Sequence, residues 1–154
     1  MIKMIIFDID GVLTDGMVQI DENGQESKRF CLNDIDALHQ MVCDGISIGV
    51  ITGEDNPFVS YIYNKVSWTY FVKGCKEKLT AFKKIIQSSK YALEEVAYIG
   101  DGLYDVSVLE YVPKSVCPAN AVPAARAAAK IHLNKSGGNG CVVEFYDLIK
   151  CGGI

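Results

Sequence analysis

The stretch Met4-Ile5-Ile6-Phe7-Asp8-Ile9-Asp10-Gly11-Val12-Leu13-Thr14-Asp15-Gly16 decides how the rest of the chain is read. Met4 to Phe7 have the length and flanks of a buried strand, and Gly11 releases the chain into a turn. Two carboxylates, Asp8 and Asp10, follow that apolar run. Strand alternation predicts that both point to one side of the backbone, and strand ends of open parallel sheets are where such folds place ligands. Held side by side they repel, so a hard divalent cation such as magnesium is the expected counter-charge. An Asp-x-Asp pair alone is equally what a solvated turn or a cap presents.

Composition narrows the field. With 154 residues the chain is expected to form one domain, 1–154, long enough to bury about 68–70% of its unfolded surface. A net charge of −4 and the lack of a basic stripe argue against nucleic acid and acidic membranes as partners. The six cysteines form no C-x-x-C pair and the two histidines lie far apart, so disulfide and zinc frameworks are not expected. The opening residues lack the marks of a signal peptide, and no apolar run approaches the roughly 20 residues of a bilayer span. A soluble, cytoplasmic protein is the expectation.

Downstream, Met17 to Ile20 and Lys28 to Phe30 flank Asn23-Gly24, a strong hairpin signal. From Asn33, a natural N-cap, Ile35, Leu38, Met41 and Val42 recur at helical spacing as far as Asp44, and Gly45 is the stop. A buried strand, Ile46 to Ile51, ends in Thr52-Gly53-Glu54. Asn56 and Pro57 open a helix to about Lys65. A strand at Tyr70 to Val72 leads to a helix with Leu79, Phe82, Ile85 and Ile86 on one face. Lys78 lies in its first turn, where the helix dipole disfavours a cation unless a ligand supplies negative charge. The strand Val96 to Ile99 ends in Gly100-Asp101-Gly102-Leu103-Tyr104-Asp105, followed by a helix to about Tyr111. Ser115 to Cys117 and Ile131 to Leu133 read as short strands, Pro123 opens an Ala-rich helix, and a last helix reaches about Lys150. This alternation predicts an α/β fold: a three-layer, Rossmann-like, mainly parallel sheet with a protruding β-hairpin.

Three strands thus end in Asp8 and Asp10, in Thr52, and in Asp101 and Asp105, and a doubly wound sheet gathers such ends along one edge. The set fits phosphoryl transfer, where catalysis is positioning and charge neutralisation. Asp8 is the candidate nucleophile and Asp10 the candidate acid and base. Asp8, Asp101 and the backbone carbonyl of Asp10 are the candidate magnesium ligands. The Thr52 hydroxyl, neighbouring backbone N–H groups at Gly53, and Lys78 are the candidate phosphate binders. Lys76 could take the place of Lys78, and Thr52 could merely cap the helix after it.

FDIDGVLTDG, VITGE, Lys78 within KEKL, and GDGLYD resemble, in order and spacing, the four motifs of the haloacid dehalogenase superfamily of phosphatases. With the hairpin, CPANAVPAARAAA and KSGGNG they resemble its capless branch acting on 3-deoxy-D-manno-octulosonate 8-phosphate and related nine-carbon sugar acids. The spacing agrees, since neither the forty or so residues between Asp10 and Thr52 nor those before Lys78 can hold a cap domain. The resemblance implies magnesium, a small phosphorylated sugar acid as substrate, and a homotetramer. Its hairpins, Met17 to Phe30, would meet centrally, and the segment Gly137 to Gly140 would help close a neighbour's site.

Members of that family often carry Asp and Asn where this chain has Gly102 and Tyr104, and an arginine where it has Val143 before Glu144. Asp105 is expected to support the metal ligands from behind, with thinner help than usual. Glu54, where octulosonate-type members have arginine, and Lys65 one helix later are the expected readers of the sugar-acid end, favouring a nine-carbon 9-phosphate. Both are otherwise a helix-start acid and a surface lysine. Three rival readings share parts of this pattern. A phospho-receiver domain needs an Asp after the third strand, absent from Tyr70 to Gly74. A non-catalytic oligomerisation module beside a sugar-acid cytidylyltransferase has no need of the acids that are present. A phosphatase of another small ester stays open.

Overall fold

In the computed structural model, which describes residues 1–154, a six-stranded parallel sheet forms the centre of the molecule. Its strands are β1 (Met4–Phe7), β4 (Ser47–Ile51), β5 (Tyr70–Val72), β6 (Val96–Ile99), β7 (Lys114–Cys117) and β8 (Ile131–His132), in the order β5-β4-β1-β6-β7-β8. β1 is flanked by β4 on one side and β6 on the other, so the sheet reverses direction of growth at β1. That reversal opens a crevice at the carboxyl end of β1.

Every residue of β1 is fully buried because helices cover both faces, which is why it reads as an unbroken apolar run. Ile5 and Phe7 pack with α1 (Leu32–Cys43), α2 (Pro57–Lys65) and α6 (Cys141–Lys150) through Leu38, Met41, Ile62 and Phe145. Met4 and Ile6 face α3 (Lys78–Ser88), α4 (Val106–Tyr111) and α5 (Pro123–Ala128) through Phe82, Val108 and Ala125. Each such side chain contributes about 1.5–3 kcal/mol before its ordering cost. The only excursion between β1 and β4 besides α1 is a hairpin, and only α2 and β5 lie between β4 and α3, so no cap domain is inserted. No helix is long and apolar enough to cross a membrane.

Several local expectations change. The hairpin pairs only β2 (Gln19–Ile20) with β3 (Glu26–Ser27), and Lys28 to Phe30 leave the ladder. Their side chains are drawn elsewhere: Lys28 to Asp10, Arg29 to Asp15, and Phe30 onto the Tyr61 ring. α1 begins one residue before Asn33 and has no side-chain cap at Cys31, while Val42 lies at the solvent edge of the buried stripe. The stretch after β6 is not one helix. A 3-10 turn at Leu103–Asp105 precedes α4, because the Asp105 carboxylate turns back to accept the Asp101 and Gly102 N–H groups.

Candidate active site

β1 delivers Asp8 to the crevice with its side chain almost wholly buried. Asp8 Oδ1 accepts the Ile9 N–H at 2.8 Å, and Oδ2 lies 2.8 Å from Lys78 Nζ. Because β1 ends at Phe7, strand alternation does not aim Asp10, as the sequence pattern implied. A turn does, in which the Val12, Leu13 and Thr14 N–H groups converge on the Ile9 carbonyl. Gly11 makes that turn possible: its φ is +86°, and a Cβ there would fall on the Asp101 carboxylate. Asp10 Oδ1 accepts from Thr14 Oγ1 at 3.2 Å and from Lys28 Nζ at 2.7 Å.

Across the crevice, Lys78 opens α3 with its side chain 4% exposed. The negative charge expected at this helix start comes from within the chain, since Nζ also lies 2.8 Å from Asp105 Oδ1. Burial alone would lower the lysine pKa, but Asp8 and Asp105 hold it above its ordinary value. Asp105 Oδ1 also accepts the Tyr98 hydroxyl at 2.6 Å, and Oδ2 accepts the Asp101 and Gly102 N–H groups at 3.0 and 2.8 Å. Four donors fill the lone-pair sites of this carboxylate. Asp105 is therefore an anchor that fixes Lys78 and the Asp101 loop.

Oxygens of Asp8, Asp101 and Asp105 lie within 4.8 Å of one another, with Lys78 as the neighbouring cation. Three carboxylates against one ammonium leave excess negative charge in a buried place. Burial first, then the Asp105 charge, pushes Asp8 well above the usual carboxylate range. The same two causes push Asp101 to about 7. Hard oxygen donors with unbalanced charge fit magnesium, and with Asp105 saturated, Asp8 and Asp101 are the side chains free to hold it.

Asp8, Asp10 and Lys78 share a cleft of about 190 Å³ with Thr52, Gly53, Glu54, Lys76 and Tyr104. Thr52, buried at the end of β4, does not cap α2; Asn56 does, accepting the Phe58 and Val59 N–H groups. The Thr52 hydroxyl receives only a long contact from the Glu54 N–H, 3.4 Å, so its own proton is available to a ligand. Lys76 reaches the rim, with Nζ 5.3 Å from the Tyr104 ring centre, while Lys78 occupies the floor. Lys65 is not brought to this cleft. It ends α2, about 12 Å of helical rise beyond Pro57, with its ammonium over the Tyr61 ring. Lys28 and Tyr98 lack any motif signal: the first looks like a hairpin surface lysine and the second like a core aromatic.

The glycine-rich segment also serves its own chain. Gly138 N–H donates to the Val12 carbonyl at 3.0 Å, and Asn120 donates to the Gly11 carbonyl while accepting the Gly137 N–H. A Cβ on Gly137 would strike the Gly11 carbonyl, so glycine is needed for this approach. Gly137 and Gly138 thus brace the Asp10 turn from within the chain.

A haloacid dehalogenase-like hydrolase model matches residues 71–145. The 3-deoxy-D-manno-octulosonate 8-phosphate phosphatase of Escherichia coli K12 is 34% identical over 148 residues, covering 96% of this chain and 79% of that protein. The crystal structure of the phosphatase of that name from Moraxella catarrhalis, in complex with magnesium, phosphate and the octulosonate, is 30% identical. It superposes with a TM-score of 0.89 over 96% of this chain and 85% of that one. The cobalt-bound Haemophilus influenzae phosphatase is 31% identical, with a TM-score of 0.88 over 96% and 86% of the two chains.

Proposed function

The chain belongs to the haloacid dehalogenase-like hydrolases, among the 3-deoxy-D-manno-octulosonate 8-phosphate phosphatases, and on that premise we propose that it hydrolyses a phosphorylated 2-keto-3-deoxy sugar acid through an aspartyl-phosphate. It is a phosphoric monoester hydrolase, and magnesium is its cofactor. The observation that carries the reading is the Asp8, Asp101 and Asp105 cluster, with Lys78 against Asp8, at the carboxyl edge of the sheet.

Asp8 and Asp101 would hold magnesium, which when bound offsets the negative charge of the phosphate and of Asp8 itself. Lys78, the Thr52 hydroxyl and the Gly53 N–H would orient the phosphate oxygens. An Asp8 oxygen forms the new bond to phosphorus while the bond to the sugar oxygen breaks, and Asp10 gives that oxygen its proton. Asp10 then takes a proton from water as the water oxygen bonds to phosphorus and the Asp8–phosphorus bond breaks, releasing phosphate and restoring both carboxyls. Asp105 holds Lys78 and the Asp101 backbone still throughout.

Glu54 lines the cleft beside Thr52, so we assign it the sugar-acid end of the substrate, either the eight-carbon 8-phosphate or a nine-carbon 9-phosphate. The Glu54→Arg variant should lose turnover on the two esters unequally, and equal losses on both would remove this assignment. The assembly proposed is a homotetramer built on the arm, whose Met17 and Ile20 are 69% and 63% exposed. Light scattering on the purified protein tests it. The central experiment measures phosphate release from both esters with magnesium or EDTA, for the wild type and Asp8→Asn. Magnesium-dependent release abolished by the substitution is expected; release from neither ester would return the chain to an unrelated ester or to a non-catalytic module.

A further inference from the structure

Lys28 departs from its surroundings. It leaves the arm among exposed residues, β3 before it and Arg29 after it, yet its own side chain is only 7% exposed. Burying an ammonium is costly unless a carboxylate receives it. Its stem passes the Phe58 ring, with Nζ 5.1 Å from the ring centre, and the ammonium ends 2.7 Å from Asp10 Oδ1. Thr14 Oγ1 donates to the same oxygen at 3.2 Å. Both donors therefore fall on Oδ1, and Asp10 Oδ2 has no hydrogen-bond partner within the chain. A carboxyl held this way has one oxygen fixed as acceptor and the other left to carry the transferable proton.

We propose that Lys28 is a positioning residue: with Thr14 it pins Asp10 Oδ1 so that Oδ2 alone presents the proton to the leaving oxygen. The inference rests on the reading of Asp10 as general acid. It gives the arm a role in the reaction, because the lysine that sets the acid is carried on the arm's outgoing leg. Removing the ammonium leaves Thr14 as the sole tether, and the carboxyl then rotates about its χ2 torsion among orientations of which few face the leaving group.

The test compares two classes of ester by kcat/KM, which reports only the steps up to departure of the leaving group. The sugar oxygen of an 8- or 9-phosphate must be protonated as it leaves phosphorus; p-nitrophenyl phosphate releases p-nitrophenolate, a stabilised anion that needs no proton. For Lys28→Met, of similar length, kcat/KM on the sugar phosphate is expected to fall about 10–100-fold, part of the usual general-acid contribution. On p-nitrophenyl phosphate it should stay within about threefold of wild type, since that ester does not draw on general acid catalysis. Lys28→Arg, which keeps a cationic donor, should restore most of the loss. Asp10→Asn serves as the reference. If Asp10→Asn is ester-selective and Lys28→Met is not, or shows no loss, the positioning role is overturned while the acid stands. If Asp10→Asn lowers both esters alike, the reading of Asp10 falls and this proposal with it.

Discussion

Lys78 Nζ stands 2.8 Å from Asp8 Oδ2, so the cation assigned to phosphate already touches the residue assigned to attack it. The contact offsets part of the upward push that burial and the Asp105 charge exert on Asp8, and it aims the carboxyl before substrate arrives. Lys78→Met should lower kcat/KM about 10²–10³-fold, the scale of one charge-stabilising donor. It also strands Asp8 and Asp105 without their cation, at a cost of about 3–5 kcal/mol. Urea denaturation should show that loss, and magnesium should recover part of it by supplying positive charge at the same carboxylates. Unchanged stability would show that the pair is not charged in the folded protein.

Magnesium affinity should depend on pH through Asp101, which burial and the Asp105 charge raise to about 7. The metal needs the deprotonated carboxylate, so below that value it must displace a proton. The upward shift of Asp8 acts in the same direction. Calorimetric titration should give an apparent affinity weaker at pH 6 than at pH 8 by about tenfold or more, with proton release that grows as the pH falls. A flat affinity would remove Asp101 from the ligand set.

Gly11 and Gly24 form a matched pair for testing close approach. Both have positive φ, +86° and +76°, but only at Gly11 would a Cβ meet another residue, the Asp101 carboxylate. Gly24→Ala should cost about 1–2 kcal/mol of backbone strain and leave magnesium binding as it was. Gly11→Ala should pay the same strain and also displace Asp101, weakening magnesium and abolishing most turnover. Melting curves and metal titrations on the two variants separate these effects.

Asp34 caps a helix distant in sequence. From α1 it accepts the Gly140, Val142 and Val143 N–H groups, each at 3.1 Å, at the start of α6. Asp34→Ala should cost about 1–2 kcal/mol, as loss of a cap does, lowering Tm by about 2–8 °C for a chain of this size. Asp34→Asn, which keeps an acceptor oxygen, should lose less. Below the transition kcat should change little, which distinguishes this carboxylate from those of the crevice.

The sheet was legible because its central strands are buried on both faces and read as apolar runs ended by Asp8, Thr52 and Asp101. Asn56-Pro57 and Pro123 fixed two helix starts for local reasons. What escaped is tertiary. No pattern announces that Lys28 turns inward when Arg29 does not, or that Tyr98 in an apolar strand donates to Asp105. The same holds for Asn120, which joins loops 109 and 17 residues away in sequence. Lys65 lies apart from Glu54 for a geometric reason: one helix later in sequence means the far end of that helix in space. Asp10 reached the crevice by a turn that alternation does not describe.

The Asn120 bridge, with Gly137 and Gly138 behind the Asp10 turn, bears on how the protein comes into being. Synthesis runs from the amino end, so the two aspartates leave the ribosome more than a hundred residues ahead of the segment that braces their turn. A nascent chain halted before Gly137 carries the acids but not the brace. The braced form of the Asp10 turn thus waits for residues made more than a hundred positions later.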